Sequence, residues 1–244
     1  ASLYHIDFSF DRLRLGGRAF AQSKGYVGSD VPTVTNAEYF RDAFNAIQEC
    51  INRRLILAGH DISAGGLITT LLEMCFANIR GGLKVNLNQF MDEDLTKILF
   101  AENPGVVVQV ATKHEAEFKK LMDNEGVAYI YIGVPQRERN LRIRKGDFEK
   151  TLDIDQLRDV WYRPSYLLDR RQSMNGRAEM RRDNYKRQPV TLQFPKHFTG
   201  KTTQYGISPD RRKKSEAREA ERQDYQQFKA RMKAEEKQKR ADEK

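Results

Sequence analysis

Ala58-Gly59-His60-Asp61-Ile62-Ser63-Ala64-Gly65-Gly66-Leu67 follows the apolar run Leu55-Ile56-Leu57 and opens a segment of helical periodicity, Leu67 to Asn78. A short apolar run, a polar glycine-containing turn and then a helix is a layout in which ligands meet backbone N–H groups. The first turn of a helix carries unpaired N–H donors and the positive end of the helix dipole, so it favours anions. Gly65 and Gly66 lack Cβ atoms, which lets a phosphate approach the backbone. Asp61 and Ser63 lie just before the helix. There a carboxylate can hold Mg²⁺, and a hydroxyl can touch a phosphate or cap the helix. On residue types alone the stretch reads either as a nucleotide site or as an ordinary capped helix start.

The helix that follows carries Leu67, Ile68, Leu71, Leu72, Cys75, Phe76 and Ile79 on a broad apolar face, with Thr69, Thr70 and Glu73 on the other side. Upstream, Tyr4, Ile6, Phe8 and Phe10 alternate with Leu3, His5, Asp7 and Ser9, which predicts a half-buried strand. Leu15-Gly16-Gly17 is a turn into a short helix, Ala19 to Gln22. Asn36 is the predicted N-cap of a helix to about Asn52, with a core stripe of Phe40, Ala43, Phe44, Ile47 and Ile51. Downstream, Leu83, Val85 and Leu87 suggest a strand, Asp92 to Ala101 a short helix, and Val106 to Val110 a buried central strand. Thr112-Lys113-His114-Glu115 has capping-box spacing and opens a helix to about Glu125; Tyr129 to Val134 reads as a strand.

This interleaving predicts an α+β fold, a layered α/β sandwich, over residues 1–135. Residues 136–212 read as a connector, with a small hairpin over 141–154 and a short helix, Ile154 to Trp161, that docks on the domain through Trp161 and Tyr162. A basic stretch of helical potential, Arg170 to Arg187, leads into an extended segment. From Lys213 onward the chain is almost wholly charged or polar and predicts a partly helical or disordered tail.

The mean hydropathy of −0.74 fits a core with a solvated portion. The net charge of +9 is uneven: residues 1–169 hold 21 Lys+Arg against 23 Asp+Glu, and residues 170–244 hold 22 against 11. Basic character therefore belongs to the C-terminal third. Cys50 and Cys75 fall on apolar helix faces without metal-like spacing and predict buried thiols in a reducing compartment, with a disulfide as the lesser alternative. No run of 18 apolar residues occurs, so a cytoplasmic protein without membrane contact is expected. The first residue is Ala rather than Met, as in a fragment or processed product.

His60 to Leu67, followed by Leu71-Leu72-Glu73-Met74-Cys75-Phe76-Ala77, closely resembles phosphoribosylformylglycinamidine synthase, the ATP-dependent ligase of purine synthesis. Phrases in the same order are Leu15-Gly16-Gly17, Phe44-Asn45-Ala46-Ile47-Gln48, Leu99-Phe100-Ala101-Glu102-Asn103, Val107-Val108-Gln109-Val110, Leu157-Arg158-Asp159-Val160-Trp161 and Phe198-Thr199-Gly200-Lys201. The resemblance spans about residues 3–212. It implies the second AIR-synthase-like C-terminal domain and the connector towards a glutaminase domain. It also implies ATP and Mg²⁺ as cofactors, with Asp61 matching a Mg²⁺-binding carboxylate, Ser63 an ATP-contacting hydroxyl, and Gly65 and Gly66 lying in the same ATP-binding turn. Arg18, Ile62 and Ala64 depart from the family, which usually has Ser, Arg and an acidic residue there.

The family's reaction activates a formamide oxygen with ATP and displaces it with ammonia from glutamine. This chain is expected to supply part of the ATP-binding wall, inactive alone, with the remaining ligase and glutaminase domains or subunits as partners. Two other readings stand beside it: a catalytically silent interaction module, and nonspecific nucleic-acid binding through residues 170–244. The last is the weakest, because acids are mixed into the tail and aromatics are not interleaved with its cations.

Overall fold

The computed structural model describes residues 1–187. The extended segment over 188–212 and the charged tail over 213–244 lie outside the described residues. In chain order the elements are β1 (Ser2–Asp7), α1 (Ala19–Ser23), α2 (Ala37–Asn52), β2 (Ile56–Asp61), α3 (Gly66–Phe76), β3 (Gly82–Asn86), α4 (Leu95–Phe100), β4 (Gly105–Val110), α5 (Glu115–Asn124), β5 (Ile130–Gln136), β6 (Asn140–Lys145), β7 (Phe148–Asp153), α6 (Ile154–Gln172) and α7 (Arg177–Asn184). The expected α+β layering holds. One seven-stranded sheet runs β2-β4-β1-β5-β3-β6-β7 and is antiparallel except between β3 and β6.

Two cores sandwich the sheet. On one face Leu67 and Leu71 of α3 meet Leu3, Val85, Val107 and Ile143 from the strands. On the other, Ile47 and Cys50 of α2 and Phe118 and Met122 of α5 meet Tyr4, Ile6 and Val108. Strand β1 is therefore buried on both faces rather than on one. Its partners are β4 and β5, and both helical layers close over it.

The alternation of apolar with polar residues in β1 concealed this, because His5, one of its polar members, is itself buried. His5 is 8% exposed, its Nδ1 has no hydrogen-bond partner, and burial pushes its imidazole down to about 4. Between that value and the unfolded value of 6.5 the unfolded chain binds the proton and the native chain does not. Stability is thus complete above pH 6.5 and falls as the pH drops towards 4, by about 3 kcal/mol at most. Urea unfolding across that range should show the loss in the parent chain and a flatter profile in His5→Leu. Equal slopes would mean that His5 is not held neutral.

Helix ends match the sequence at one site and depart from it at another. The Asn36 side chain accepts from the Tyr39 N–H at 3.0 Å, as an N-cap should. The capping box at Thr112 does not form. Residues Thr112–His114 make a 3-10 turn, and Glu115 instead accepts from the Ser2 and Tyr4 hydroxyls, drawn to the adjacent central strand.

The boundary expected near residue 135 falls inside β5. The 141–154 hairpin is β6–β7, and it extends the main sheet through the β3–β6 pairing. Described residues up to 187 accordingly belong to one unit. Helix α6 runs eleven residues past the expected end at Trp161 and through Pro164. The carbonyl that Pro164 leaves without an intrahelical donor is that of Val160, whose residue is 68% exposed, so water can satisfy it. Trp161 docks on α3 as expected, its ring 5.2 Å from Phe76. No helix among the described residues is long and apolar enough to cross a membrane.

Candidate functional site

Asp61 is a strand residue, and the turn that precedes the helix is shorter than the sequence suggested. Strand β2 continues through Ala58-Gly59-His60-Asp61 because these residues pair with Gln109 to Val106 of β4, after an irregularity between Ile56 and Ala58. The chain then turns over Ile62 to Gly65, with the Ile62 N–H on the Gly105 carbonyl and the Gly66 N–H on the Ser63 carbonyl. Gly65 is the N-cap of α3, at φ 91. Neither Asp61 nor Ser63 caps the helix, since no side-chain cap bond is present there.

The two glycines are fixed by packing. A Cβ on Gly66 would lie 2.6 Å from the Phe100 carbonyl carbon and 2.8 Å from the Leu99 and Ala101 oxygens; one on Gly65 would lie 2.2 Å from Thr69 Oγ1. Helix α3 thus starts in direct contact with the backbone at the end of α4. Glu102, one residue past the Ala101 C-cap of α4, accepts from the Gly65 N–H at 2.9 Å and from the Ala19 N–H at 3.0 Å. A carboxylate therefore already sits at the anion-favouring end of α3. Glu102→Ala should cost about 2 kcal/mol and Glu102→Gln, which keeps an acceptor, about 1 kcal/mol. Urea midpoints read both, and equal losses would deny a charge-assisted role.

At the end of β2 the side chains form a short polar chain. The Asp61 carboxylate is 74% exposed and lies 3.4 Å from His60 Nδ1. His60 Nε2 lies 3.3 Å from Glu73, and Glu73 accepts from the Trp161 indole N–H at 2.7 Å. Thr70, expected on the outer side of α3, is instead fully buried and donates to the Asp61 carbonyl at 3.1 Å. The Ser63 hydroxyl has no hydrogen-bond partner among the described residues. Nor does Arg18 Nε, which is buried where the departure from the family pattern stands.

A groove of about 400 Å³ runs along β2 and ends at Asp61, walled by Phe44, Ile47, Ile51, Leu57 and Val108. Phe44 and Ile51, expected in the core stripe of α2, are about half exposed on this wall, because β2 is an edge strand and no described element covers it. Sequence reasoning found Asp61 and Ser63, offered Glu102 either as facing a site or as a solvated helix end, and missed the parts of His60, Thr70 and Trp161. Their only signal was proximity to the motif or membership of a matching phrase. Among the described residues no group of three or more His, Cys, Asp or Glu can hold a metal ion unaided. A Mg²⁺ at Asp61 would take its other ligands from water and substrate phosphates, as Mg²⁺ commonly does.

The family model described as AIR synthase related protein, C-terminal domain, matches residues 7–145, more than half of the chain. The chain belongs to that family. It is similar to a probable phosphoribosylformylglycinamidine synthase, chloroplastic/mitochondrial, of Arabidopsis thaliana, at 34% identity over 187 residues, covering 75% of this chain and 13% of the relative. It is also similar to the probable membrane antigen 75 of Saimiriine herpesvirus 2, at 34% identity over 161 residues, covering 66% of this chain and 12% of the relative. Among solved structures, T. maritima PurL complexed with ATP aligns at 14% identity with a TM-score of 0.49, covering 64% of this chain and 25% of that one. The AIR synthase related domain thus spans about an eighth of the length of the curated relatives.

Proposed function

We propose that this AIR synthase related domain forms part of the Mg²⁺–ATP wall of a phosphoribosylformylglycinamidine synthase in purine biosynthesis. The whole enzyme would convert formylglycinamide ribonucleotide, glutamine and ATP to formylglycinamidine ribonucleotide, with the remaining ligase and glutaminase domains as partners. One observation carries the reading: an exposed carboxylate, Asp61, lines a groove that no described element covers, and a hydroxyl without a partner among the described residues, Ser63, follows two residues later in the turn. In this reading Asp61 holds Mg²⁺ and Ser63 contacts a phosphate. Gly65 and Gly66 shape the turn, their N–H groups being engaged by Glu102 and by the Ser63 carbonyl. When bound, the metal would screen phosphate charge. The chain's own part is to place a carboxylate at the end of β2 and a hydroxyl in the turn that follows.

Glutamine hydrolysis falls to another domain. Burial pushes the Cys50 thiol up to about 12 and the Cys75 thiol up to about 11, so neither supplies a thiolate at neutral pH. The test is complementation of an enzyme lacking this domain. Adding the chain should restore Mg²⁺- and ATP-dependent amidine formation, and undiminished turnover without it would end the proposal. A second reading, a silent module that keeps the fold, draws on Glu102, which fills the anion position at α3. Full structural association without any gain in turnover would select it.

A further inference from the structure

At the opposite end of the sheet from Asp61, strands β3, β6 and β7 carry a helical layer on one face only among the described residues. Leu83, Val85, Leu141 and Ile143 point into the core with α3. The alternate residues, Lys84, Asn86, Arg142 and Arg144, point away and, apart from the half-exposed edge of that face, no helix of the second core reaches them.

The parallel register sets Lys84 directly beside Arg142 and Asn86 beside Arg144. Neighbouring strands lie about 4.8 Å apart and alternate residues of one strand about 6.6 Å apart, so three cations share a patch the size of a phosphate and its first shell. On the β7 side Glu149 stands across from Arg144 and bonds Arg142, but Lys84 beside Arg142 is a like-charge pair, which destabilises a sheet and which folding does not explain. With Glu149 they line a cavity of about 220 Å³. Arg142 donates to Glu149 at 2.5 Å, which engages the one carboxylate there. Arg144 spends only its Nε, on the Gly146 carbonyl at 3.4 Å, and Lys84 has no acidic partner among the described residues. The Asn86 oxygen is held by the Asn88 N–H, which leaves the amide NH₂ as a further donor.

We infer that this face of β3 and β6, which no described helix covers, is a second ligand site, one that binds a phosphate group as the dianion. Two cations without carboxylate partners balance its charge. The Arg144 guanidinium offers two parallel N–H donors, the Lys84 ammonium a point charge, and Asn86 a neutral donor. The site is separated from Asp61 by strands β4, β1 and β5, and its test does not depend on the ligase reading.

The experiment is an amide-resolved NMR titration of the full chain with inorganic phosphate and, separately, glycerol 3-phosphate, at constant ionic strength against sodium chloride. Saturable shifts should centre on residues 84–86 and 142–144. The affinity should fall at least about tenfold in Lys84→Gln and in Arg144→Gln, with no loss of melting temperature, because both side chains are exposed and Lys84→Gln also relieves a like-charge pair. Tighter binding of glycerol 3-phosphate would identify an esterified phosphate as the ligand, and binding of inorganic phosphate alone the free anion; either supports the site. Shifts that chloride reproduces, or that both substitutions leave intact, would overturn it.

Discussion

Replacing Gly66 with Ala should destabilise the domain by about 4 kcal/mol, the sum of a left-handed backbone strain of about 1–2 kcal/mol and an overpacking cost of about 1–3 kcal/mol. The backbone at Gly66 has φ 72, and the new methyl would press on three main-chain atoms of residues 99–101. Main-chain atoms cannot rotate aside as a side-chain tip can, so α3 or α4 must shift. For a domain of this size the melting temperature should fall by about 10 °C. Gly126→Ala is the control. Gly126 also has a positive φ, 67, yet nothing lies within 4 Å of an added Cβ, so its cost should stay near 1 kcal/mol. If the two substitutions cost the same, the contact between the start of α3 and the end of α4 is not what fixes the glycine.

Asp61→Asn should have the opposite profile, with a large loss of metal-dependent function and little loss of stability. Asp61 is 74% exposed and caps no helix, so the fold loses almost nothing when its charge is removed. A hard cation strongly prefers a charged oxygen. Removing a residue that merely supports a metal ligand costs about 10–100-fold, so removing a ligand should cost about 100-fold or more in Mg²⁺ affinity. Ser63→Ala should cost less, since one hydroxyl contact contributes about 0.5–1.5 kcal/mol, roughly tenfold at most. The pair of variants separates a metal ligand from a phosphate contact by size of effect.

The elements themselves were legible because each is written locally. The run Val106 to Val110 became the buried β4, the periodic stripe after Gly66 became α3, and Asn36 capped α2. What escaped depends on neighbours far along the chain. Thr70 turns inward to hold the Asp61 carbonyl, and Glu115 leaves its capping box for Ser2 and Tyr4 across more than a hundred residues. The Gly65-Gly66 pair is a further case. A phosphate cradle and a tight helix–backbone contact both require glycine, and only the position of residues 99–101 shows that the second requirement is present here. Strand pairing also moved Asp61 from a turn to the end of β2, where the edge of the sheet leaves it open. The candidate site was thus readable as a pair of residue types, whereas its supports, Glu102, His60 and Trp161, come from separate elements that only the fold brings together.

The most direct test of the central claim is the Mg²⁺ dependence of ATP-driven amidine formation in the enzyme reassembled with this domain, measured for the parent chain and for Asp61→Asn beside their melting temperatures. The account predicts that Asp61→Asn raises the Mg²⁺ requirement about 100-fold and leaves the melting temperature within about 2 °C of the parent. An unchanged Mg²⁺ requirement together with a lowered melting temperature would contradict it and would assign Asp61 to the fold.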